Sequence, residues 1–236
     1  GCWPDGYVDS DAIDEVLGRG TAAFNSRVAG HILVSMSSVS PEYSRELAAD
    51  IRLAGGRYVE APVSGSRKPA EHGQLVSLLG GTEEDVQQVM SVLTPMCKEV
   101  LHCGQVGDAL LMKLSVNLFL CTMLAGLSEA MHFAAQQGLD LTKFQAAIDS
   151  GPMASDVTRV KIPKLVNRDF DVQAATLDAF NSCKLIAYAA RNAGIATPLL
   201  ELSRALYGES VSLGNGRLDM VSVIQSIEKR TKAGIL

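Results

Sequence analysis

Residues 104–117, GQVGDALLMKLSVN, mark the point at which the pattern of the chain changes. Before this stretch, short β-branched runs alternate with helical patterns, and after it only helical patterns follow. Alternating strand and helix signals predict a parallel or mixed sheet with helices, whereas a run of helices predicts a separate helical domain. We therefore predict an α/β domain over residues 1–103, followed by an all-α domain over residues 104–236 that is built on a long helix.

Capping residues and glycines bound the individual elements. Ser40 and Thr82 are expected to cap the N-termini of two helices, and Gly55 is expected to follow the end of the first of these. The predicted strands cover residues 32–36, 57–61, 74–79 and 99–102, and the predicted helices of the first domain cover 41–55 and a segment from 83. The predicted helices of the second domain cover residues 106–137, 141–149, 160–167, 174–192, 198–207 and 220–229.

Lys113 and Asn117 form a polar pair in an otherwise apolar helical stretch. Side chains four residues apart project from the same face of a helix, so both can contact one neighbour. Burying such groups costs free energy unless they are paired, and a small polar substrate is one possible partner. The structural alternative stays open from this stretch alone, because a lysine can extend its ammonium into water and an asparagine can bond a nearby backbone group.

Composition narrows the class of protein. The chain has 236 residues, 47% of them hydrophobic, and a net charge of -5 with no long basic run, which argues against a nucleic-acid surface. Five cysteines without a C-x-x-C spacing favour reduced thiols and a cytoplasmic protein. Four histidines without ligand spacing predict no metal site. The start lacks a signal-peptide pattern, and the apolar run 118–127 is too short to span a bilayer.

A second polar stretch, EAPVSGS at residues 60–66, follows a predicted strand. Pro62 and Gly65 predict a sharp turn, and the backbone amides of such a turn, with the Ser64 hydroxyl beside them, can hold a carboxylate. An ordinary strand exit would have the same composition, so both interpretations remain open for this stretch alone.

Four stretches in order resemble the β-hydroxyacid dehydrogenase family, of the 3-hydroxyisobutyrate dehydrogenase and glyoxylate or succinic semialdehyde reductase type. They are SMSSVSP at 35–41, EAPVSGS at 60–66 followed by KPAEHGQL at 68–75, the Gly104-x-x-Gly107 turn with Lys113 and Asn117, and LGNGRLDMVS at 213–222. The resemblance covers about residues 9–228. It implies a Rossmann-like sheet domain, a helical second domain, and hydride exchange between NAD or NADP and a small semialdehyde or 2-oxo acid.

The resemblance also implies a set of site residues. Lys113 would be the proton donor and acceptor, and Ser37 and Ser38 would lie near the nicotinamide. The substrate, a small carboxylate-bearing molecule, would contact Ser64, Gly65, Ser66, Asn117 and Asn181. The long apolar helix predicts a homodimer or higher homo-oligomer, with neither nucleic acid nor membrane as a partner.

Two departures from the family pattern stand out. No G-x-G-x-x-G pyrophosphate loop precedes Gly104, so the sequence corresponds to only the C-terminal half of a dinucleotide-binding domain, either as a fragment or through a loss of cofactor binding. Asn181 and Ser182 occupy the positions where the family usually has Lys-Asp. A non-catalytic helical module for oligomerisation or interaction is therefore the alternative hypothesis.

Overall fold

The structure is a computed structural model that describes residues 8–65 and 71–235. Contacts divide the chain into two compact units, an N-terminal unit that ends at Ser115 and a C-terminal unit that begins at Val116. This division falls inside a helix of 29 residues. The domain boundary between residues 103 and 104 stays a prediction.

The described part of the N-terminal unit contains four helices and five strands before the long helix. They are α1 (Val8–Leu17), α2 (Ala23–Val28), β1 (Ile32–Ser35), α3 (Pro41–Leu53), β2 (Arg57–Glu60), β3 (Val63–Ser64), β4 (Leu75–Gly80), α4 (Glu83–Leu93) and β5 (Cys97–Gly104). The two predicted N-caps are confirmed, because Ser40 accepts the amide of Tyr43 and Thr82 accepts that of Asp85. The predictions included no counterpart of α1, α2 or β3.

The five strands form one mixed sheet, as predicted. β1 pairs in parallel with β2, and β4 pairs in parallel with β5. β2 and β3 both run antiparallel to β4, on the same path of neighbouring strands. The register places Glu60, the last residue of β2, opposite Gly80, the last residue of β4. A carboxylate therefore lies beside a residue without a side chain.

Hydrophobic residues on both faces of the sheet form the core of this unit. Tyr58 and Val59 are neighbours in β2 and point to opposite faces, as strand geometry requires. One cluster around Tyr58 includes Phe24, Val28, Leu47, Ala48 and Ile51, from α2 and α3. The other cluster, around Val59, includes Ala61, Leu79, Val86, Val89 and Leu93. The sheet is thus covered on both faces by helices.

The long helix and five further helices make up the rest of the chain. They are α5 (Asp108–Gln136), α6 (Leu141–Ser150), α7 (Asp156–Val166), α8 (Thr176–Asn192), α9 (Pro198–Ser212) and α10 (Ile224–Lys232). Helix α7 starts earlier than predicted because Ser155 and Thr158 form a capping box. A 3-10 turn at Met220–Val223 precedes α10, where the sequence predicted one continuous helix. The predicted fold class, an α/β sheet followed by helices, is confirmed.

Helix α5 is long and apolar, with exposed apolar side chains. Phe119 is 67% exposed and Phe133 is 64% exposed, so a single chain leaves part of the apolar surface of α5 uncovered. By length and composition, the 29 residues of α5 could also cross a membrane. The prediction that the apolar run 118–127 is too short to span a bilayer therefore does not apply to the whole helix. One such helix is weak support for a membrane span, because core helices of soluble proteins have the same properties.

Candidate functional site

Lys113 lies on the second turn of α5, within the N-terminal unit. Its ammonium Nζ donates a hydrogen bond of 2.7 Å to the backbone carbonyl of Val63. Val63 and Ser64 form the two-residue strand β3, so Lys113 contacts the stretch in which the sequence predicted substrate binding. The lysine side chain is half-buried and does not extend fully into water. The snorkelling alternative for Lys113 is therefore not what the structure adopts.

The first turn of α5 is held by Glu60 from the end of β2. Its Oε1 accepts the amides of Gly107 at 2.8 Å, Ala109 at 2.9 Å and Leu110 at 3.3 Å. The start of a helix leaves about four amides without partners inside the helix, and one carboxylate oxygen satisfies three of them here. An anion at this end also interacts favourably with the helix dipole.

The glycines of the Gly104-x-x-Gly107 turn are required by backbone conformation. Gly104 and Gly107 have φ values of 132° and 102°, which side chains rarely permit. A Cβ on Gly104 would overlap the Asp108 carboxylate, which accepts the amide of Gln105. The turn therefore presents its amides to Glu60 and Asp108 at close range.

Glu60 is almost fully buried, with 1% of its surface exposed. Its Oε2 accepts a hydrogen bond of 2.7 Å from Ser44, whose hydroxyl also pairs with that of Tyr58 at 3.0 Å. Glu60 belongs to the EAPVSGS motif, but its sequence pattern alone predicted no role for it. The available signal was an acidic residue at the end of an apolar strand, because a buried carboxylate needs hydrogen-bond partners.

Burial makes the contribution of Glu60 to stability depend on pH. Desolvation raises the pKa of Glu60 above its ordinary value of 4.5, and the bonds from Ser44 and the three amides oppose that rise. The folded state then binds more protons than the unfolded state between pH 4.5 and the raised pKa. The free energy of unfolding contributed by Glu60 is thus fully present below pH 4.5 and is lost as pH rises through the folded pKa.

Glu60→Gln should remove this dependence, because glutamine does not titrate. We expect the stability of the wild type, relative to the Gln variant, to fall as pH rises above 4.5 through the raised pKa of Glu60. Urea unfolding of both proteins across this range measures the difference. A difference that grows with pH would show instead that the amides lower the pKa of this carboxyl.

Ser64 and Gly65 lie directly after the carbonyl that Lys113 contacts. Gly65 has a φ of 126°, so the chain turns there in a conformation that favours glycine. Ser64 is half-buried and Gly65 is exposed. The third predicted residue of this turn, Ser66, lies outside the described residues.

The predicted cofactor-binding residues Ser37 and Ser38 follow the carboxyl end of β1. In open α/β sheets, ligands bind beyond the carboxyl ends of the strands, so the position suits a cofactor. Ser37 also lines a hollow of about 330 Å³ whose other walls are mostly apolar.

A pyrophosphate loop is not found in the described parts of the chain. The closest sequence is Gly18-Arg-Gly20-Thr-Ala-Ala23, but it follows helix α1 and precedes the six-residue α2. The fingerprint requires a strand before its glycines and a full helix after them. The stretch at residues 18–23 therefore lacks the structural context of that fingerprint.

Two predicted substrate-binding residues, Asn117 and Asn181, lie in the C-terminal unit. The Asn117 amide donates to the Ser182 hydroxyl at 3.4 Å, so α5 and α8 meet at this point. Asn181, next to Ser182 on α8, is half-buried. Lys184, three residues after Asn181 on α8, places its ammonium over the ring of Phe180, 5.0 Å from the centroid. It does not replace the lysine that the family usually has near Asn181.

No group of three or more histidine, cysteine or acidic side chains within residues 8–65 and 71–235 is arranged to hold a metal ion. The Lys113 ammonium and the Glu60 carboxylate form hydrogen bonds with backbone groups and with the Ser44 hydroxyl.

Comparison with known families accounts for nearly the whole chain. Residues 8–104 match the NAD binding domain of 6-phosphogluconate dehydrogenase. Residues 107–227 match the family described as NAD-binding of NADP-dependent 3-hydroxyisobutyrate dehydrogenase. The two matches together include Glu60, Ser64, Lys113, Asn117 and Asn181.

Individual relatives agree with this assignment. The chain is 31% identical to a mitochondrial 3-hydroxyisobutyrate dehydrogenase of Drosophila melanogaster over 212 residues, covering 86% of this chain and 65% of that protein. It is 29% identical to glyoxylate/succinic semialdehyde reductase 1 of Arabidopsis thaliana over 195 residues, covering 83% and 68%. The chain thus spans about two thirds of the length of these relatives.

A solved structure supports the fold. The crystal structure of 3-hydroxyisobutyrate dehydrogenase from Salmonella typhimurium superimposes with a TM-score of 0.82 at 22% identity, covering 92% of this chain and 75% of the other. At this identity the likeness concerns the fold alone. Together with the two family matches, it confirms the resemblance carried by the four motifs. The chain belongs to the β-hydroxyacid dehydrogenase family.

Proposed function

We propose that this protein is an NAD(P)-dependent oxidoreductase that interconverts a small semialdehyde or 2-oxo acid and the corresponding hydroxy acid. The observation that carries the proposal is the hydrogen bond from Lys113 Nζ to the Val63 carbonyl, directly beside the Ser64-Gly65 turn. A proton donor and a candidate carboxylate-binding turn are thereby joined in one unit. The names of the fly and plant relatives, a hydroxyacid dehydrogenase and a semialdehyde reductase, favour the same class of reaction.

Lys113 would donate the proton that carbonyl reduction needs. When a carbonyl is reduced, its oxygen gains negative charge, and an ammonium close to that oxygen stabilises the charge and can transfer a proton to it. In the oxidation direction the neutral amine would take the proton back. The bond to Val63 fixes the position of the ammonium relative to the turn, so less orientation remains to be achieved when substrate binds.

The Ser64-Gly65 turn would bind the carboxylate of the substrate. A serine hydroxyl and the amides of a turn are suitable donors to an anion. The positive φ of Gly65 supports this role, because such a conformation turns the backbone away from strand pairing. Asn117, Asn181 and Ser66 are further proposed substrate contacts, because amide and hydroxyl groups can donate hydrogen bonds to an anion.

The bound nicotinamide cofactor would supply or accept the hydride. Ser37 and Ser38, beyond the carboxyl end of β1, would hold its nicotinamide end. The family matches, which are both described as NAD-binding, favour NAD or NADP as the cofactor.

We also propose that two or more copies of this protein associate. The support is the apolar surface of α5, where Phe119 and Phe133 remain more than half exposed in a single chain. Exposed aromatic residues on one helix are typical of association surfaces.

Cofactor titration tests the proposed function. We expect the longest form of the protein that its gene encodes to change NADH or NADPH fluorescence and to oxidise that cofactor when a small semialdehyde is added. Ser37→Ala with Ser38→Ala should weaken cofactor binding by about tenfold through lost hydrogen bonds. The control is Ser26→Ala, which removes another exposed hydroxyl of this unit. A protein that binds neither cofactor would instead support the non-catalytic module.

A further inference from the structure

The amides at the start of α5 are fully accounted for within the N-terminal unit. Glu60 Oε1 accepts three of them, and the fourth, on Asp108, bonds to the carbonyl of Gln105 at 3.0 Å. Glu60 is 47 to 50 residues away from its three partners in the sequence. A single side chain from the sheet therefore determines where α5 begins.

The Glu60 side chain is itself fixed by buried neighbours. Ser44 holds Oε2, and Tyr58 holds Ser44. Ser44 is fully buried and Tyr58 is 6% exposed, so water does not compete strongly for these bonds. The network links β2 and α3 with the first turn of α5.

Gly80 limits the space for Glu60 from the opposite strand. A Cβ on Gly80 would lie 2.7 Å from Glu60 Cγ and would overlap its Oε1. The carboxylate therefore lies directly against the backbone of β4. The sheet therefore limits where the carboxyl group can lie, and Ser44 on α3 holds its Oε2.

Both partners of the Lys113 contact are connected to Glu60 over short, ordered segments. Along the backbone, Val63 follows Glu60 by three residues. Along the helix, Lys113 follows Leu110, the last amide that Glu60 holds, by three residues, which is less than one turn. A displacement of the first turn of α5 would move Lys113 relative to Val63.

The geometry points to Glu60 as the positioning residue for Lys113: its carboxylate holds the first turn of α5 where the ammonium meets the substrate-binding turn. This inference rests on the proposed function, because it assigns Lys113 the proton transfer. Glu60 does not contact the reacting atoms, and it acts through the helix. The Oε1 contacts need only an acceptor, so a neutral amide at this position preserves them, with its Nε2 donating to Ser44.

Glu60→Ala and Glu60→Gln together test the inference. We expect Glu60→Ala to lower kcat by about 100-fold, because a small displacement of a reacting group has an effect of that size. KM for the cofactor should not change. Glu60→Gln should restore kcat to within about threefold of the wild type, because its carbonyl accepts the same three amides. Thr82→Ala is the matched control, since it removes the N-cap of α4 in the same unit without touching α5.

Two measurements decide the positioning role without any turnover. Hydrogen exchange at residues 107–110 should quicken by about tenfold or more in Glu60→Ala and remain slow in Glu60→Gln and Thr82→Ala. Acetylation of Lys113, measured by mass spectrometry against the exposed Lys98 in the same sample, should rise severalfold in Glu60→Ala alone. Neither measurement needs reductase activity in the wild type. Failure of the proposed function is therefore distinguishable from failure of the positioning role of Glu60.

The inference is overturned if exchange and acetylation in Glu60→Ala match those of Thr82→Ala. It is also overturned if Glu60→Ala folds and retains kcat within about threefold of the control. Should Glu60→Ala fail to fold, Ser44→Ala loosens only the Oε2 side of the carboxylate, and a smaller change in the same direction at Lys113 is then expected. Unchanged acetylation in a folded Ser44→Ala would count against the inference.

Discussion

Replacing Lys113 with alanine is expected to lower kcat for the reduction of a small semialdehyde by about 1,000-fold, within the range for loss of a general acid. The variant loses both the proton donor and the positive charge that stabilises the developing alkoxide. It also loses the bond to Val63, but the first turn of α5 stays held by Glu60. Folding should therefore persist, and steady-state kinetics with circular dichroism measures both properties.

Two further lysine variants separate chemistry from packing. Lys113→Met keeps a long apolar side chain and should lose as much activity as Lys113→Ala. Lys98→Ala removes an exposed lysine of β5 and should leave kcat unchanged. If both Lys113 variants turned over semialdehyde within about twofold of the wild type, Lys113 would not be the proton donor.

Local signals in the sequence predicted most of the elements. Ser40 and Thr82 were found as caps because their partners are only three residues away. The start of α7 was missed because the capping box uses Thr158 in place of the usual glutamate or glutamine. Strand β3 was missed because two residues are too few for an alternating pattern to appear.

The candidate site was predictable in its residues but not in its connections. The motifs identified Lys113 and the Ser64-Gly65 turn, yet the Lys113 contact with Val63 spans 50 residues. The same holds for Glu60, whose partners lie on α3 and α5. Such pairs depend on how strands and helices pack, and no local spacing encodes that packing.

A second long-range pair, Lys161 and Asp219 in the C-terminal unit, was not predicted either, because it also depends on how the helices pack. Lys161 on α7 donates to both carboxylate oxygens of Asp219, at 2.9 and 2.8 Å. Asp219 is fully buried and Lys161 is 7% exposed. Burial lowers the pKa of Lys161, and the bond to Asp219 opposes that shift. The two residues are 58 positions apart.

Asp219 also organises the backbone around it. Its carboxylate accepts the amides of Gln173 at 2.9 Å, Ala174 at 3.3 Å and Val221 at 3.2 Å. The bond from Val221 makes Asp219 the N-cap of the turn before α10. One carboxylate therefore joins α7, the segment before α8 and the start of the last helical segment.

Asp219→Ala is expected to reduce the free energy of unfolding of the C-terminal unit by about 3–5 kcal/mol, because it leaves a buried ammonium without its counter-ion. Three backbone amides lose their acceptor at the same time. Urea unfolding followed by circular dichroism measures the loss, and hydrogen exchange at residues 173–174 and 221 locates it.

Glu201→Ala provides the matched comparison, since it breaks an exposed ion pair. The side chains of Glu201 and its partner Arg204 are 40% and 35% exposed. That change should cost at most about 1 kcal/mol. Restoring neutrality with Lys161→Met in the Asp219→Ala background should recover part of the loss, because no unpaired charge then remains buried. Equal losses for Asp219→Ala and Glu201→Ala would mean that water or another group replaces the buried carboxylate, and that the ion pair does not hold these three segments together.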